Sequence, residues 1–247
     1  MEVIILAGGL GTRLRSAIGN EIPKCMAPID NKPFLWYLLR YLTRYDVSRV
    51  VLSVGYLREV IYKSIKICFA KIDVLHKTLR GTGLVPFLFE YAVEETPLGT
   101  GGGIREALKH CLNDNVVILN GDTFFDVDLV RLMNEHIRMD SYLTVALKSM
   151  RNFERYGAVE LATDGHIIAF HEKTYCSAGL INGGVYVIDR VKLSMNEYPE
   201  KFSFETEVME KQCEVGTLHG ITSDGYFKDI GIPSDYIQAN IDFKLLF

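Results

Sequence analysis

Val3-Ile4-Ile5-Leu6-Ala7 runs directly into Gly8-Gly9-Leu10-Gly11-Thr12-Arg13-Leu14, and Pro23-Lys24 follows shortly after. The β-branched, apolar run predicts a buried strand. Glycine has no Cβ, so the backbone after this strand can adopt positive φ and turn successive amide N–H groups toward phosphate oxygens. Arg13 adds a planar cation that binds two oxygens at once. We interpret the stretch as a strand followed by a phosphate-binding loop.

The spacing of the glycines excludes two common phosphate-binding motifs. The Walker pattern needs Gly-Lys-Ser/Thr at its end, and the dinucleotide pattern needs a third glycine three residues after Gly11. Gly8-Gly9 alone would fit a tight turn equally well. The whole run through Pro23-Lys24, however, resembles the G-G-x-G-T-R-L…P-K signature of the sugar-1-phosphate nucleotidyltransferases, which join a nucleoside triphosphate to a sugar 1-phosphate.

Composition narrows the class of protein. The 247 residues carry 27 positive and 31 negative groups, a formal charge of −4, and no basic block, which argues against a nucleic-acid partner. No apolar run reaches the ~20 residues of a membrane helix, and Val3–Ala7 is too short and lacks the basic start of a signal peptide. The five cysteines form no C-x-x-C pair. We therefore expect a reduced, cytoplasmic protein with no membrane contact.

Strand-like and helix-like segments alternate, which predicts an α/β fold with helices flanking the sheet. We expect a single domain over 1–247, with a nucleotide-binding half at about 1–150 and a sugar-phosphate-binding half at about 151–247 in which added strands are antiparallel. The resemblance implies a Rossmann-like mixed, mostly parallel sheet. No hexapeptide repeat is present, so no acyltransferase domain is expected. The predicted strands are Val3–Ala7, Val50–Val54, Val116–Leu119, Leu143–Leu147, 156–161, 166–170, Gly184–Ile188, Gly216–Ile221 and Tyr226–Asp229, and the predicted helices are Pro33–Tyr45, Leu57–Phe69, Phe204–Lys211 and a last one from about Ser234.

Two aspartates follow predicted strands and are candidate metal ligands. Asp122 ends the run Leu119-Asn120-Gly121-Asp122, and Asp229 begins Asp229-Ile230-Gly231-Ile232-Pro233. Mg²⁺ takes one or two protein carboxylates together with phosphate oxygens and water, although a lone Asp after Gly also forms Asx turns. Both positions match the metal-binding aspartates of the family, so the resemblance implies Mg²⁺ at Asp122 and Asp229. We expect Asp126 and Asp128 to cap a helix or to be solvated instead.

Nucleotidyl transfer to a sugar phosphate needs no general base, because a phosphate monoester is already nucleophilic. The reaction depends on positioning and charge neutralisation, so we expect cations at the site. Lys24 and Lys173 are candidates, with exposed surface lysines as the alternative. The resemblance places Lys24 near the triphosphate, with Arg13, Lys24 and Asp122 as the catalytic set. It also implies a sugar-phosphate site made of Gly157, Glu172, Lys173 and Asn182.

The segment Glu94-Glu95-Thr96-Pro97-Leu98-Gly99-Thr100-Gly101-Gly102-Gly103 is the candidate base-recognition segment. Guanine presents two adjacent donors, N1–H and N2–H₂, which one carboxylate accepts, whereas a uracil edge prefers an amide. Glu94 therefore favours GTP, with a solvated surface charge as the alternative. The nucleotide-binding residues implied by the resemblance are Leu6, Ala7, Gly8, Gly9, Gly11, Thr12, Arg13, Glu94, Pro97, Gly99 and Thr100.

Within the family, the chain most resembles the bacterial D-glycero-α-D-manno-heptose 1-phosphate guanylyltransferases. The runs that carry this resemblance are Met26–Ile29, Lys32–Leu35, Glu95–Gly102, Leu119–Asp126, Gly179–Gly184 and Phe202–Glu205. Such an enzyme transfers GMP from GTP to the heptose 1-phosphate, giving GDP-heptose and pyrophosphate for surface glycan synthesis. Two features depart from the family. Cys25 stands where proline is usual and puts a thiol near the phosphates, and the stretch from about Ile72 to Glu90, with Arg80-Gly81-Thr82-Gly83, is longer than expected.

Three alternatives stay open from sequence. Mannose-1-phosphate guanylyltransferase and an amino-sugar-1-phosphate uridylyltransferase differ from the leading hypothesis only in pocket shape. A non-catalytic regulator that binds a sugar nucleotide is disfavoured because Arg13, Lys24, Asp122 and Asp229 are all present. A homodimer is a further expectation: an apolar face around Trp36, Tyr37 and Tyr41 is either its surface or part of the core.

Overall fold

The structure is a computed structural model that describes residues 1–9, 11–65 and 87–247. Its strands are β1 (Glu2–Leu6), β2 (Pro28–Ile29), β3 (Lys32–Pro33), β4 (Arg49–Val54), β5 (Leu88–Val93), β6 (Asn115–Asn120), β7 (Thr123–Phe125), β8 (Leu143–Phe153), β9 (Ala158–Leu161), β10 (Ile167–Phe170), β11 (Cys176–Asp189), β12 (Leu218–Ser223) and β13 (Phe227–Asp229). Its helices are α1 (Arg15–Ile18), α2 (Phe34–Leu42), α3 (58–65), α4 (Gly99–Leu108), α5 (Leu129–Arg138), α6 (Phe204–Glu214, π-helical over Phe204–Met209) and α7 (Pro233–Leu246). Single 3₁₀ turns cover Thr12–Leu14 and Lys24–Met26.

A nine-stranded sheet runs through the described part of the chain. Its order is β10-β9-β11-β6-β1-β4-β5, and β8 joins β11 and β12. β1 pairs in parallel with β4 and β6, and β4 pairs in parallel with β5. β11 is antiparallel to β6, β8 and β9. This confirms the predicted α/β class, with parallel strands in the first half of the chain. The strands added in the second half are mostly antiparallel as predicted, but β12 pairs in parallel with β8 and corrects that prediction.

The first strand is apolar throughout because both faces of the sheet are covered. Val3 and Ile5 belong to the buried cluster that includes α2 and α7 residues, whereas Ile4 belongs to the cluster that includes α4 and α6 residues. All three are fully buried. Strands of this kind give continuous apolar runs rather than alternation, which is why β1 is so clear in the sequence.

The aromatic face of α2 is core. Trp36, Tyr37 and Tyr41 are at most 5% exposed, and the Tyr37 ring packs edge-on against Phe243 of α7 at a centroid distance of 4.7 Å. The Tyr41 hydroxyl donates a hydrogen bond to the carbonyl of Val127. These residues are therefore part of the core and do not form a dimer surface. The homodimer stays a prediction, but this face does not support it.

Several elements differ from the sequence-based prediction. β5, β7, α4 and α5 were not predicted, and β8 and β11 are much longer than expected. The predicted division near residue 150 lies inside β8 and stays a prediction. The helix predicted over Leu57–Phe69 is observed over 58–65; its end, and the segment 72–86 with Arg80-Gly81-Thr82-Gly83, lie outside the described residues.

β11 begins at Cys176, well before its predicted start at Gly184, and a bulge lets it pair with different strands on either side. Its register against β8 shifts between Asn182 and Tyr186. Gly184 has φ +72°, and its amide donates to the Asn182 side-chain oxygen at 2.9 Å. Before the bulge β11 pairs with β9, and after it with β6. An extra residue in one strand bends it and increases its twist.

Among the described helices, none has the length and apolarity needed to cross a membrane.

Candidate active site

The predicted nucleotide-binding residues and Asp122 lie where the parallel strands of the first half end. β1, β4, β5 and β6 point the same way, so the loops that follow them lie at one edge of the sheet. The amide of Gly121 donates to the carbonyl of Leu6 at 3.0 Å, and a Cβ on Gly121 would lie 2.3 Å from that oxygen. Glycine at this position therefore brings Asp122 directly beside the loop that begins at Ala7.

The loop that follows β1, for which phosphate binding was predicted, turns at Gly11, where the sequence predicted positive φ. Gly11 has φ +59°, and a Cβ there would lie 3.2 Å from Lys24 Cβ. Thr12 begins the short 3₁₀ turn that carries Arg13. Arg13 is exposed and, within the described residues, makes no hydrogen bond or ion pair. The loop thus presents one unpaired cation to solvent; Leu10 lies outside the described residues.

Lys24 joins the two aspartates. Its ammonium forms an ion pair with Asp122 and lies 3.8 Å from Asp229 Oδ1. The Lys24 side chain is only 13% exposed, so these charges interact in a partly desolvated setting. Burial, and then the negative charge of Asp122, raise the pKa of Asp229, while Lys24 opposes that rise.

The two aspartates meet because two three-residue strands pair. β7 and β13 are antiparallel, and Thr123 lies opposite Asp229 in their register. The amide of Ile230 donates to the Asp122 carbonyl at 3.0 Å. The amide of Gly231 donates to Asp229 Oδ1 at 2.6 Å. The carboxylates are thus fixed from both chain segments.

The donor set of this cluster fits Mg²⁺. Both groups are carboxylates, and among the described residues the Lys24 ammonium lies within ion-pair distance of both. A Cβ on Gly231 would lie 2.8 Å from Asp229 Oδ1 and 3.2 Å from Lys24 Nζ, so glycine keeps this space open. The described residues contain no group of three or more His, Cys, Asp or Glu that could hold a metal. Two carboxylates with phosphate oxygens and water are what Mg²⁺ usually takes.

A second part of the same edge forms a cavity of about 230 Å³. Seven of the residues that line it were predicted from sequence as nucleotide-binding, and Gly103 is the last residue of the candidate base-recognition segment. Ser53 was not predicted. Ser53 lies near the end of β4, and no motif around it indicated a functional role. The lining residues are Leu6, Gly8, Gly9, Ser53, Glu94, Pro97, Gly99, Thr100 and Gly103.

Glu94 is held at this cavity by two protein donors. The Ser53 hydroxyl donates to Oε1 at 2.9 Å, and the amide of Leu98 donates to Oε2 at 3.1 Å. A solvated surface carboxylate would have neither restraint. Glu94 is therefore not simply a solvated surface charge. Glu95 beside it is different: its side chain is 76% exposed and ion-paired with Arg58.

The glycine-rich stretch after Glu94 is the start of α4 rather than a loop. A Cβ on Gly101 would lie 2.2 Å from the Phe202 ring, so this glycine permits close packing of the helix. Gly99 has φ +75°. The Thr100 hydroxyl donates to Glu205 at 2.6 Å and accepts from the amide of Phe204. The cavity wall is thereby tied to α6.

The predicted sugar-phosphate residues are dispersed. Glu172 and Lys173 are exposed between β10 and β11, and within the described residues neither side chain has a hydrogen bond or ion pair. A Cβ on Gly157 would lie 2.6 Å from the His171 carbonyl. Asn182 lies at the β11 bulge, where its amide nitrogen donates to the Tyr186 hydroxyl at 3.0 Å. Their roles stay predictions.

A larger cavity of about 510 Å³ lies beside Asp229 and is lined by residues that the sequence analysis missed. The Tyr156 hydroxyl donates to Asp229 Oδ2 at 3.4 Å. Arg155 is ion-paired with Asp235 of α7, and Lys228 also lines the space. Arg155-Tyr156 precede the predicted Gly157 and Lys228 precedes Asp229, so proximity to those motifs was the available signal.

Three smaller expectations are resolved nearby. Asp128 caps α5 by accepting from the amides of Val130 and Arg131, as expected. Asp126 is ion-paired with Arg44. Cys25 is 3% exposed and belongs to the hydrophobic core, so its thiol is shielded from solvent.

Comparison with known proteins agrees with this geometry. The nucleotidyl transferase family matches residues 2–244. The D-glycero-alpha-D-manno-heptose 1-phosphate guanylyltransferase of Aneurinibacillus thermoaerophilus is 46% identical over 99% of both chains. The protein of the same name from Campylobacter jejuni is 42% identical over 98% of this chain and all of its own. The crystal structure of HddC from Yersinia pseudotuberculosis complexed with GMP-PN has a TM-score of 0.81 and 34% identity, covering 98% of this chain and 99% of that chain. This chain belongs to the nucleotidyl transferase family.

Proposed function

We propose that this protein transfers GMP from GTP to D-glycero-α-D-manno-heptose 1-phosphate, releasing pyrophosphate, and that it depends on Mg²⁺. The observation that carries the proposal is the Glu94 carboxylate at the cavity beside the phosphate loop. The two relatives named for this activity, identical at 46% and 42% of positions over nearly the whole chain, support it. The relative solved with GMP-PN supports the choice of a guanine nucleotide.

The carboxylate selects the base by its hydrogen-bonding character. An ionised carboxylate only accepts hydrogen bonds, and the Watson–Crick edge of guanine presents two neighbouring donors to it. A uracil edge would place a carbonyl oxygen against one of the carboxylate oxygens. A buried acceptor that meets another acceptor loses its solvation without a partner, which costs about 1–3 kcal/mol.

The phosphates lie at the loop that follows β1. Backbone amides around Gly8, Gly9 and Gly11 donate to phosphate oxygens, and positive φ at Gly11 turns the chain back toward Lys24. Arg13 reaches the triphosphate from the solvent side, where it has no protein partner within the described residues. Lys24 supplies charge between the loop and the aspartates.

Asp122 and Asp229 would hold Mg²⁺. When bound there, the ion neutralises negative charge on the phosphate oxygens. Lys24 balances the two carboxylates in its absence. Gly231 and Thr123 keep the carboxylate oxygens oriented through their hydrogen bonds to Asp229 and Asp122.

The acceptor occupies the 510 Å³ cavity beside Asp229. An oxygen of its phosphate forms a bond to the α-phosphorus of GTP, and the bond from that phosphorus to the bridging oxygen of the leaving pyrophosphate breaks. No general base is needed, because the phosphate monoester is already ionised at neutral pH. Arg155 and Lys228 provide cations on the acceptor side, which screen the repulsion between two anionic substrates.

We also propose that the protein works in the cytoplasm. Within the described part of the chain, Cys111, Cys176 and Cys213 form no disulfide. Free thiols are typical of reducing compartments. Fractionation of the native host, followed by detection of the protein, tests this assignment.

Pyrophosphate release over a matrix of nucleotides and sugar 1-phosphates tests the proposed reaction. GTP, ATP, UTP, CTP and dTTP are combined with the 1-phosphates of the heptose, mannose, glucose and N-acetylglucosamine. We expect turnover confined to GTP with the heptose; turnover with another pair would overturn the specificity, and binding without turnover would favour a regulator. Glu94→Gln should erode the GTP preference, whereas the matched control Glu95→Gln, which changes an exposed carboxylate, should keep it.

A further inference from the structure

The Glu94 carboxylate is enclosed on several sides by protein groups. Ser53 is 1% exposed and donates to Oε1 at 2.9 Å. The Leu98 amide donates to Oε2 at 3.1 Å. A Cβ on either Gly8 or Gly103 would lie 2.8 Å from Oε1. The carboxylate therefore occupies a space that two glycines leave open and that two donors fix.

These contacts determine which lone pairs the carboxylate offers. A carboxylate has about four acceptor positions, two on each oxygen. Ser53 occupies one on Oε1 and Leu98 one on Oε2. With these two donors, the only ones to this carboxylate among the described residues, each oxygen keeps one acceptor position for a ligand, so a pair of parallel donors fits both oxygens at once. Without these two contacts the carboxylate could rotate, and its two oxygens would no longer be held in the orientation that accepts both donors of the base.

We propose that Ser53 is a positioning residue for nucleobase selection, and that Gly103 provides the space its action requires. Ser53 fixes the Glu94 carboxylate so that both oxygens meet guanine N1–H and N2–H₂ together. This inference rests on the proposed use of GTP and adds the group that makes Glu94 selective.

Gly103 offers an independent way to move the same carboxylate. The atoms nearest a Cβ at position 103 are Glu94 Oε1 at 2.8 Å and Ser53 Oγ at 3.0 Å. Both are ends of side chains rather than backbone, so the substitution displaces them without displacing the helix. Alanine is also a better helix former than glycine. Gly103→Ala therefore separates selectivity from folding.

The test compares GTP with ITP, whose base lacks the N2 amino group and keeps N1–H. In the wild type we expect kcat/KM to favour GTP by about tenfold or more, the value of one hydrogen bond to a charged acceptor. Ser53→Ala should lower kcat/KM for GTP by about tenfold and leave ITP much less affected, so the GTP:ITP ratio falls. Gly103→Ala should lower the same ratio while its thermal midpoint stays at or above that of the wild type.

Ser141→Ala is the matched control. Ser141 is also buried, at 2% exposure, and its hydroxyl donates to the Leu143 carbonyl at the start of β8. β8 is antiparallel to β11, which is antiparallel to β6, so this serine lies at the opposite edge of the sheet from the site. The control should lower stability and keep the GTP:ITP ratio.

The outcomes distinguish this inference from the proposed function. A wild type without a preference for GTP over UTP overturns both. A wild type that prefers GTP, with a GTP:ITP ratio that survives Ser53→Ala and Gly103→Ala within about twofold, overturns only the role of Ser53. If Ser53→Ala does not fold, the ratio measured for Gly103→Ala decides.

Discussion

Asp122 and Asp229 share a single cation: the Lys24 ammonium is paired with the first and lies 3.8 Å from Oδ1 of the second. Two carboxylates this close destabilise each other's charged forms unless a cation lies between them. The Lys24 ammonium and a divalent ion would therefore compete to neutralise the same two carboxylates. Three of the predictions below address this cluster or the cavity beside it.

Asp122→Asn should abolish most turnover and leave the fold intact. The amide keeps the size of the side chain and removes its charge, and loss of a charge on a metal ligand costs several kcal/mol at the transition state, or at least about a hundredfold in rate. Steady-state pyrophosphate release measures the effect. Asp126→Asn, four residues along and ion-paired with the exposed Arg44, should keep near-wild-type turnover. Wild-type rates for Asp122→Asn would remove this residue from the site.

Lys24→Met should bind Mg²⁺ more tightly than the wild type does in the absence of nucleotide. The substitution removes the ammonium that competes for the two carboxylates, and we expect about tenfold tighter binding, or ~1.4 kcal/mol of added stabilisation at saturating Mg²⁺. Thermal unfolding with and without Mg²⁺ measures this without turnover. Lys192→Met, which removes a lysine paired with Asp140 and Asp189, is the control. An unchanged Mg²⁺ response in Lys24→Met would contradict the shared site.

Arg155→Met should weaken binding of the sugar 1-phosphate without weakening binding of GTP. Arg155 lines the 510 Å³ cavity and is paired with Asp235, so its loss leaves that carboxylate facing an anionic substrate. We expect KM for the sugar 1-phosphate to rise about tenfold, with KM for GTP unchanged. Arg138→Met, on an exposed arginine bonded to Glu135, provides the baseline. A rise in KM for GTP instead would assign Arg155 to the other substrate.

His136 should make stability depend on pH in the mildly acidic range. Its ring is 1% exposed and hydrogen-bonded to Thr144 and Asn115, and burial lowers the pKa of His136 from 6.5 to about 4. The folded state therefore favours the neutral ring, so this contribution is complete above about pH 6.5 and is lost as the pH falls toward 4. The loss is on the order of 3 kcal/mol.

Urea unfolding at neutral pH and at about pH 4.5 measures the effect of His136. The wild type should lose more free energy of unfolding than His136→Gln, which lacks a titrating group at this position. Equal losses in the two proteins would show that other groups dominate acid destabilisation.

The sequence predicted those parts of the site that lie in one continuous segment. β1 and the loop from Gly8 were predictable because a doubly covered strand and a glycine turn both leave local signals. The pairing of β7 with β13 was not, because each strand has three residues and their contact joins distant parts of the chain. Ser53 was missed for the same reason: its contact with Glu94 comes from the parallel pairing of β4 with β5.

α4 was not predicted because four of its first five residues are glycines, which have low helix propensity. Packing overrides that preference here, since Gly101 lies against the Phe202 ring where no larger side chain would fit. The lengths of β8 and β11 were underestimated because polar residues and the bulge at Asn182 interrupt their apolar patterns.

The bulge in β11 has a mechanical consequence. β11 is one uninterrupted segment of 14 residues, on the order of 45 Å of backbone, and it is hydrogen-bonded first to the hairpin of β9 and β10 and then to the central strand β6. Tyr175, which lines the 510 Å³ cavity, directly precedes β11, and Asp122 follows β6. One continuous strand therefore links the two parts of the candidate site, and we expect the distance between them to change only if hydrogen bonds along β11 break.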